Sequence, residues 1–208
     1  MKIVQGDEIP LKRGLEHRGG TFYGRVLAEG EEGRLDNFQL NYGQQGGDFY
    51  SPRHRHNFEQ IRFQLEGTLD YSRDGKLSEG MVGYFPEGTS YGPQVPVNGE
   101  QSTTIVFQCG GASGGGYLSQ AQIRKGNQEL LEFGAFVDGV FRRREGVPGK
   151  KNQDGFQAIW EHVNGRALRF PKRRYEKPVL MEPDNFAWIP VLQKGCVHRK
   201  NSRVKKRP

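Results

Sequence analysis

Two histidines one residue apart, His54 and His56, open the stretch with the clearest potential for chemistry. Imidazoles are common ligands of divalent first-row metals, and two of them at this spacing on one strand face can reach a single ion. Because side chains alternate between the faces of a strand, we predict that four later residues share the histidine face. They are Phe58, Gln60, Arg62 and Gln64. Two amides and a guanidinium are costly to bury unless they line a pocket or bind a ligand.

The polar residues of this face suggest specific roles. Gln60 stands where a third metal ligand would lie, but it offers only a neutral carbonyl oxygen where a carboxylate would offset the metal's charge. Arg62 on the same face suggests recognition of a carboxylate or another planar anion. An equally weighted alternative is a salt bridge from Arg62 to a nearby acid. The available acids are Glu59, Glu66 and Glu87.

The opposite face of the same strand is apolar. Ile61, Phe63 and Leu65 alternate with the polar residues, and we expect a partner sheet to cover them. Glu59 also points to this side in a regular strand, so only a β-bulge would turn its carboxylate toward the histidines.

Short strands separated by turns fill the first half of the chain. The 30 glycines and 11% aromatic residues favour tight turns and β-structure. Alternating or β-branched runs between turn signals predict an all-β sandwich or barrel. The predicted strands span residues 22–27, 37–42, 68–71 paired with 76–77, 80–86 and 102–109.

The composition changes after Cys109. A glycine-rich run at 110–116 precedes a helix that Ser119 and Gln122 open as a capping box and that ends near Phe133. A second helix is predicted from Asp154 to Asn164, since residues 156, 159, 160 and 163 form one apolar stripe. We expect this stripe to pack against the barrel or a second subunit, and the chain to return to strand near 186–189.

The histidine stretch and a later one together resemble the two motifs of the cupins. The first motif, G-x5-H-x-H-x3/4-E-x6-G, is matched in spacing by His54, His56, Gln60 and Gly67, although its leading glycine is displaced by one position. The second, G-x5-P-x-G-x2-H-x3-N, is matched by Gly80, Pro86, Gly88 and, in place of the histidine, Tyr91. The resemblance covers about residues 20–110. It implies a cupin double-stranded β-helix, a jelly-roll barrel, within residues 1–110, followed by a mostly helical or irregular extension with a basic tail at 111–208.

The resemblance also implies a metal site, with departures. The ligand set would be His54, His56, Gln60 and Tyr91, holding iron, manganese, nickel, copper or zinc. Glutamine for glutamate removes a charge and tyrosine for histidine removes a nitrogen donor, so we expect weaker metal binding than is usual in the family, or a site that a substrate completes. A metal-free site held by hydrogen bonds is the alternative.

Three functions follow from these residues. The first is a metal-dependent oxygenase-type cupin acting on a small acidic or aromatic metabolite, in which Arg62 orients the substrate and Tyr91 completes the site. The second is a non-catalytic cupin that binds a small anionic ligand. The third is a metal-free isomerase in which His54 and Tyr91 act as base and acid.

Composition restricts the remaining possibilities. The net charge of +7 comes largely from late basic runs without interleaved aromatic residues, so we expect a solvated surface rather than a nucleic-acid site. No apolar stretch has the length of a membrane span and none resembles a signal core. Cys109 and Cys196 are read as free thiols in a reducing cytoplasm. The isolated His17, His162 and His198 are expected on the surface or in helices, and the family resemblance implies a homodimer.

Overall fold

A seven-stranded antiparallel sheet forms the main wall of the molecule. The computed structural model describes residues 3–31, 34, 37–111, 116–186, 188–189 and 199–200. The strand order in the sheet is β1-β2-β3-β9-β4-β7-β13. These strands are β1 (Lys12–Arg13), β2 (Phe22–Glu29), β3 (Phe38–Gln45), β4 (Phe58–Glu66), β7 (Val82–Phe85), β9 (Ser102–Gly110) and β13 (Val179–Met181).

A smaller sheet closes the other side of the first half of the chain. It has the order β6-β5-β8, from strands β5 (Thr68–Asp70), β6 (Lys76–Ser78) and β8 (Val95–Pro96). Buried apolar side chains fill the space between β5, β6 and β7. They are Leu69, Tyr71, Leu77, Met81, Phe85 and Tyr91. The predicted all-β barrel is therefore confirmed, and its predicted hairpin pairs Leu69 with Leu77.

Two helices follow the barrel as predicted. Helix α1 (Gln120–Leu130) has both hydrogen bonds of the Ser119–Gln122 capping box, which satisfies backbone groups that a helix start leaves unpaired. Helix α2 (Gly155–Asn164) begins at the Asp154 cap and ends at Gly165. Gly165 has φ +61°, a left-handed conformation that glycine adopts without steric cost.

The second half of the chain also contains strands that the sequence did not indicate. Strands β10 (Gly134–Val137), β11 (Val140–Arg143) and β12 (Asn152–Asp154) form a sheet beside the helices. Strand β13 returns to the barrel and pairs with β7. The apolar stripe of α2 joins a second core together with Phe58 at the end of β4, which confirms that the stripe packs on the barrel.

The two faces of β4 have the predicted division, but not the predicted covering. The histidine-side residues point inward, and Gln60, Arg62 and Gln64 are each buried. The apolar residues point outward, and Ile61 and Phe63 remain 46% and 39% exposed. The expected partner sheet over this face is wrong for the described part of this chain, because the second sheet lies against the polar side.

The C-terminal predictions are only partly within the described residues. Strands β14 (Trp188–Ile189) and β15 (Arg199–Lys200) pair with each other, which agrees with the predicted return to strand. The centre of the glycine run, Cys196, His198 and the tail from 201 lie outside the described residues. Within the described residues, no helix has the length and apolar character needed to cross a membrane.

Candidate ligand pocket

The two motif segments meet at a backbone bridge between His54 and Tyr91. Each residue donates its backbone N–H to the other's carbonyl oxygen, at 3.1 Å and 2.9 Å. The bridge lies before β4, so His54 and His56 occupy a loop that leads into the strand rather than the strand itself. Their inward alternation nevertheless continues that of the strand, and both are buried.

The hydroxyl of Tyr91 is the meeting point of all the predicted site residues. It lies 3.1 Å from Nε2 of His54, 3.2 Å from Nδ1 of His56 and 3.3 Å from Oε1 of Gln60. Nη2 of Arg62 donates to it at 2.7 Å. The structure thus brings the predicted site residues together around one atom, the phenol oxygen of Tyr91.

The direction of the His54 hydrogen bonds follows from its neighbours. Nδ1 of His54 lies 2.6 Å from the carbonyl oxygen of Pro52, which only accepts hydrogen bonds. We therefore assign the proton to Nδ1, so Nε2 accepts the hydroxyl proton of Tyr91. Burial, together with the charge of Arg18, lowers the pKa of His54 well below 6.5, so the imidazole is neutral near pH 7.

His56 and Tyr91 are likewise uncharged. Burial and the neighbouring His54 lower the pKa of His56 well below 6.5. Its ring stacks on Phe58 with centroids 4.4 Å apart. Burial raises the pKa of Tyr91 to about 12, so the phenol keeps its proton across the physiological range.

Arg62 carries the only formal charge among the residues that surround the Tyr91 hydroxyl. Its terminal nitrogens donate to neutral oxygens alone: the hydroxyls of Tyr71 and Tyr91 and the amides of Gln60 and Gln94, at 2.7 to 2.9 Å. The predicted alternative of a salt bridge to Glu59, Glu66 or Glu87 is wrong, because none of them is among these partners. Although burial opposes the charge, Tyr71 and Tyr91 raise the pKa of Arg62.

The acids considered for that salt bridge have other partners or positions. Glu59 follows the regular strand direction and pairs with Arg174 outside the barrel, where Tyr84 also donates to it at 2.7 Å. Glu66 accepts a hydrogen bond from Thr103 at 2.9 Å. The charge of Arg62 thus stays without a carboxylate partner among the described residues.

The two motif segments face inward and meet at one wall of an antiparallel barrel, and this arrangement identifies the fold. The chain has the cupin fold. No family model and no curated protein sequence matches the chain. Solved structures with similar folds include the polyketide cyclase RemF from Streptomyces resistomycificus, at 22% identity and a TM-score of 0.45, covering 52% of this chain and 78% of that one. Another is an RmlC-like cupin from Ralstonia eutropha, at 10% identity and a TM-score of 0.44, covering 79% of this chain and 85% of that one. A third is KdgF from Halomonas, at 15% identity and a TM-score of 0.42, covering 54% of this chain and 97% of that one.

The cupin barrel encloses a cavity of about 630 Å³ against this polar network. Its wall carries mostly neutral hydrogen-bonding side chains from β3, β4 and β9, including Gln39, Gln45, Gln60, Thr104 and Gln108. Residues from the N-terminal segment 9–18, from β2 and from the segment 117–124 also line the cavity, with charged side chains such as Glu16, Arg18 and Arg25 among them. This volume lies within the range of about 300–1,000 Å³ that is typical of small-molecule sites.

Sequence reasoning missed several residues of the pocket because their positions depend on the whole fold. Arg18 and His17 come from the N-terminal segment, and His17 is 2% exposed, so its predicted surface or helical position is wrong. Arg18 binds Asp154 at 2.6 Å, which ties this segment to the start of α2. Tyr71 and Gln94 hold Arg62 from the smaller sheet and its flank. No motif marked any of these positions.

The donor set of this pocket does not fit a resident divalent metal. Gln60 and Tyr91, two of the four predicted ligands, each accept a hydrogen bond from the always charged Arg62 at 2.8 Å and 2.7 Å. A metal bound to both oxygens would lie close to a like charge with no carboxylate to offset it. In the described part of the chain, no three His, Cys, Asp or Glu side chains form a metal-binding group.

Proposed function

We propose that this cupin binds a small organic anion, acidic and planar or aromatic, with Arg62 as the counter-charge and without a resident metal. The observation that carries the proposal is the buried guanidinium whose partners are all neutral. Arg62 is 6% exposed, and its four hydrogen bonds end on two phenols and two amides.

A buried charge without a counter-ion is costly, and a bound anion reduces that cost. Removing an ion from water is unfavourable unless hydrogen bonds and an opposite charge replace the lost hydration. Here the two terminal nitrogens make four hydrogen bonds to neutral groups. Among the described residues, Arg62 Nε has no hydrogen-bond partner and no carboxylate pairs with the guanidinium. An anion in the adjoining cavity would interact with Arg62 more strongly than in water, because the local dielectric is lower.

The proposal leaves room for catalysis without a metal, as a second candidate function. The supporting observation is the contact of 3.1 Å between the Tyr91 hydroxyl and Nε2 of His54. A protonated phenol and a neutral imidazole are a possible acid and base for moving a proton within a bound substrate. Arg62 would hold the substrate's anionic group, and its hydrogen bond to Tyr91 would stabilise the phenolate after proton donation.

Calorimetric titration with benzoate, a small planar carboxylate, tests the anion site. We expect the wild type to bind benzoate, Arg62→Met to weaken binding at least tenfold, and Arg62→Lys to retain part of the affinity through its charge. Arg174→Met is the matched control, since Arg174 binds Glu59 on the outer surface and lies outside the cavity lining.

Metal analysis of the same samples tests the metal-free part. Protein from metal-supplemented growth is expected to contain no stoichiometric iron, manganese, nickel, copper or zinc, and benzoate binding should survive chelator treatment. Stoichiometric metal whose removal abolishes binding would favour the metal-dependent oxygenase-type function instead. Equal benzoate affinity in wild type and Arg62→Met would refute the role of Arg62. The cytoplasmic location predicted from the cysteines remains a prediction.

A further inference from the structure

Three glutamines form a row across three neighbouring strands of the barrel wall. Gln60 on β4 is the register partner of Gln108 on β9, and Gln108 is the register partner of Gln39 on β3. All three side chains are buried and line the cavity. Neighbouring strands are about 4.8 Å apart, so the row spans about 10 Å from Gln60 to Gln39.

Hydrogen bonds run along this row in one direction. Gln60 Nε2 donates to Gln108 Oε1 at 3.2 Å, and Gln108 Nε2 donates to Gln39 Oε1 at 3.1 Å. Arg62 fixes this direction, because a guanidinium has only donors and Gln60 must turn its oxygen toward it. Each amide then presents its NH₂ group to the next oxygen. Reversing any single amide would place its NH₂ group against another donor.

The row ends in a donor that has no acceptor. Gln39 Oε1 also accepts hydrogen bonds from Asn41 at 3.1 Å and from Gln120 at 3.4 Å, so the amide oxygen is fixed by three donors. Gln39 Nε2 is buried and has no hydrogen-bond partner among the described residues. Gln39 is 1% exposed, and a buried donor of this kind is unfavourable until an acceptor reaches it.

We propose that Gln39 Nε2 is a second binding point in the cavity, which receives a carbonyl or carboxyl oxygen of the ligand. The ligand is then a bifunctional acid, with its anionic group toward Arg62 and a second oxygen acceptor toward β3. Aligned amides polarise one another, so the charge of Arg62 strengthens the Gln39 donor at the far end. This inference rests on the proposed anion binding.

Benzoate and 4-acetylbenzoate, which differ by one carbonyl acceptor, test the second point by calorimetric titration. We expect the wild type to bind 4-acetylbenzoate about tenfold more tightly than benzoate. Gln39→Met removes the donor at nearly constant side-chain length and should make the two affinities equal. Gln44→Met is the matched control, since Gln44 lies on the same strand, donates to the Tyr42 hydroxyl at 3.1 Å and lies outside the cavity lining. It should keep the preference.

The outcomes separate this inference from the proposed function. Equal wild-type affinities for the two acids, or a preference that persists in Gln39→Met, would overturn the second binding point and leave anion binding intact. Failure of the wild type to bind either acid would overturn both. A circular-dichroism melt of each variant establishes folding, and the benzoate affinity of Gln39→Met serves as an internal measure of an intact Arg62 end.

Discussion

The Tyr91 hydroxyl occupies the centre of a polar cluster in which the other members face one atom. A phenol serves this position because it can donate one hydrogen bond and accept others at the same time. It donates to His54 and accepts from Arg62, at 3.1 Å and 2.7 Å. One hydroxyl thereby links the two motif segments through hydrogen bonds.

Replacing Tyr91 with phenylalanine tests this role through stability. Loss of the hydroxyl leaves buried groups of His54 and Arg62 without their shared partner, so we expect Tyr91→Phe to lower the free energy of unfolding by about 1–3 kcal/mol. Chemical denaturation measures the change. Tyr84→Phe is the control: its hydroxyl binds Glu59 and Arg174 at the surface, where such contacts contribute about 0–1 kcal/mol. Equal losses in the two variants would contradict a central role for Tyr91.

Sequence spacing identified the residues of this cluster but not their bonding. Alternation along the stretch is a local property and predicted that His54, His56 and Gln60 share a face, whereas Tyr91 was added by the family resemblance. The neutral surroundings of Arg62 could not be foreseen, since Tyr71 and Gln94 reach it from elements that only the closed barrel brings near. Nearby acids made a salt bridge equally reasonable, although regular strand geometry turns Glu59 outward.

At the scale of elements, the two helices pack closely at a glycine. Gly126 lies in the interior of α1, although glycine is a poor helix former. The structure supplies the reason for its presence. A Cβ at position 126 would lie 2.9 Å from Cγ2 of Val163 and 3.0 Å from Cγ2 of Ile159, so α2 occupies the space that a side chain would need.

Gly126→Ala is therefore expected to destabilise the protein despite alanine's better helix propensity. Overpacking of a fitted core costs about 1–3 kcal/mol, which exceeds the propensity gain of about 1 kcal/mol. Val163→Ala removes the closest methyl group. The double variant should therefore lose less free energy of unfolding than the two single variants lose together. Thermal or chemical unfolding of all four proteins gives the coupling energy, and additive effects would refute the predicted contact.

Elements with strong local signals were predicted and those without were not. The capping box of α1, the Asp154 start of α2 and the β-branched strand 102–109 have such signals, and each is confirmed within a few residues. Strand β13 has only three residues, and its formation depends on the free edge of β7. The strands β10 to β12 have only three or four residues each, too few for an alternation that distinguishes a strand from a loop.

At the scale of the whole molecule, the part of the barrel wall formed by β4 and β9 is mostly polar inside and carries apolar side chains outside. Outward Ile61 and Phe63 adjoin Phe107 and Ile105 on β9, their register partners. A homodimer, which the family resemblance implies, would cover this face, since two copies meeting here would bury the same surface on each subunit. We retain the homodimer as a proposal and assign it to this face.

Sedimentation velocity tests the assignment. The wild type should sediment at twice the chain mass of 23.6 kDa, and Ile61→Glu with Phe63→Glu should give monomers, because two charges on each copy would be desolvated at the contact. Leu131→Glu, at a residue 51% exposed at the end of α1, is the control and should leave the dimer intact. A wild-type monomer, or a dimer that tolerates both charges, would exclude this face.

The glutamine row also has a consequence for how the protein can diverge. Because Arg62 sets the orientation of Gln60, and Gln60 that of Gln108, substitutions along the row are not independent events. A lineage that loses the arginine would allow an acid in place of Gln60 and would remove the reason for the remaining amides. We therefore expect related sequences either to keep Arg62 and the three glutamines together or to replace them together. In the sequences that keep all four residues, this pocket should bind the same ligand.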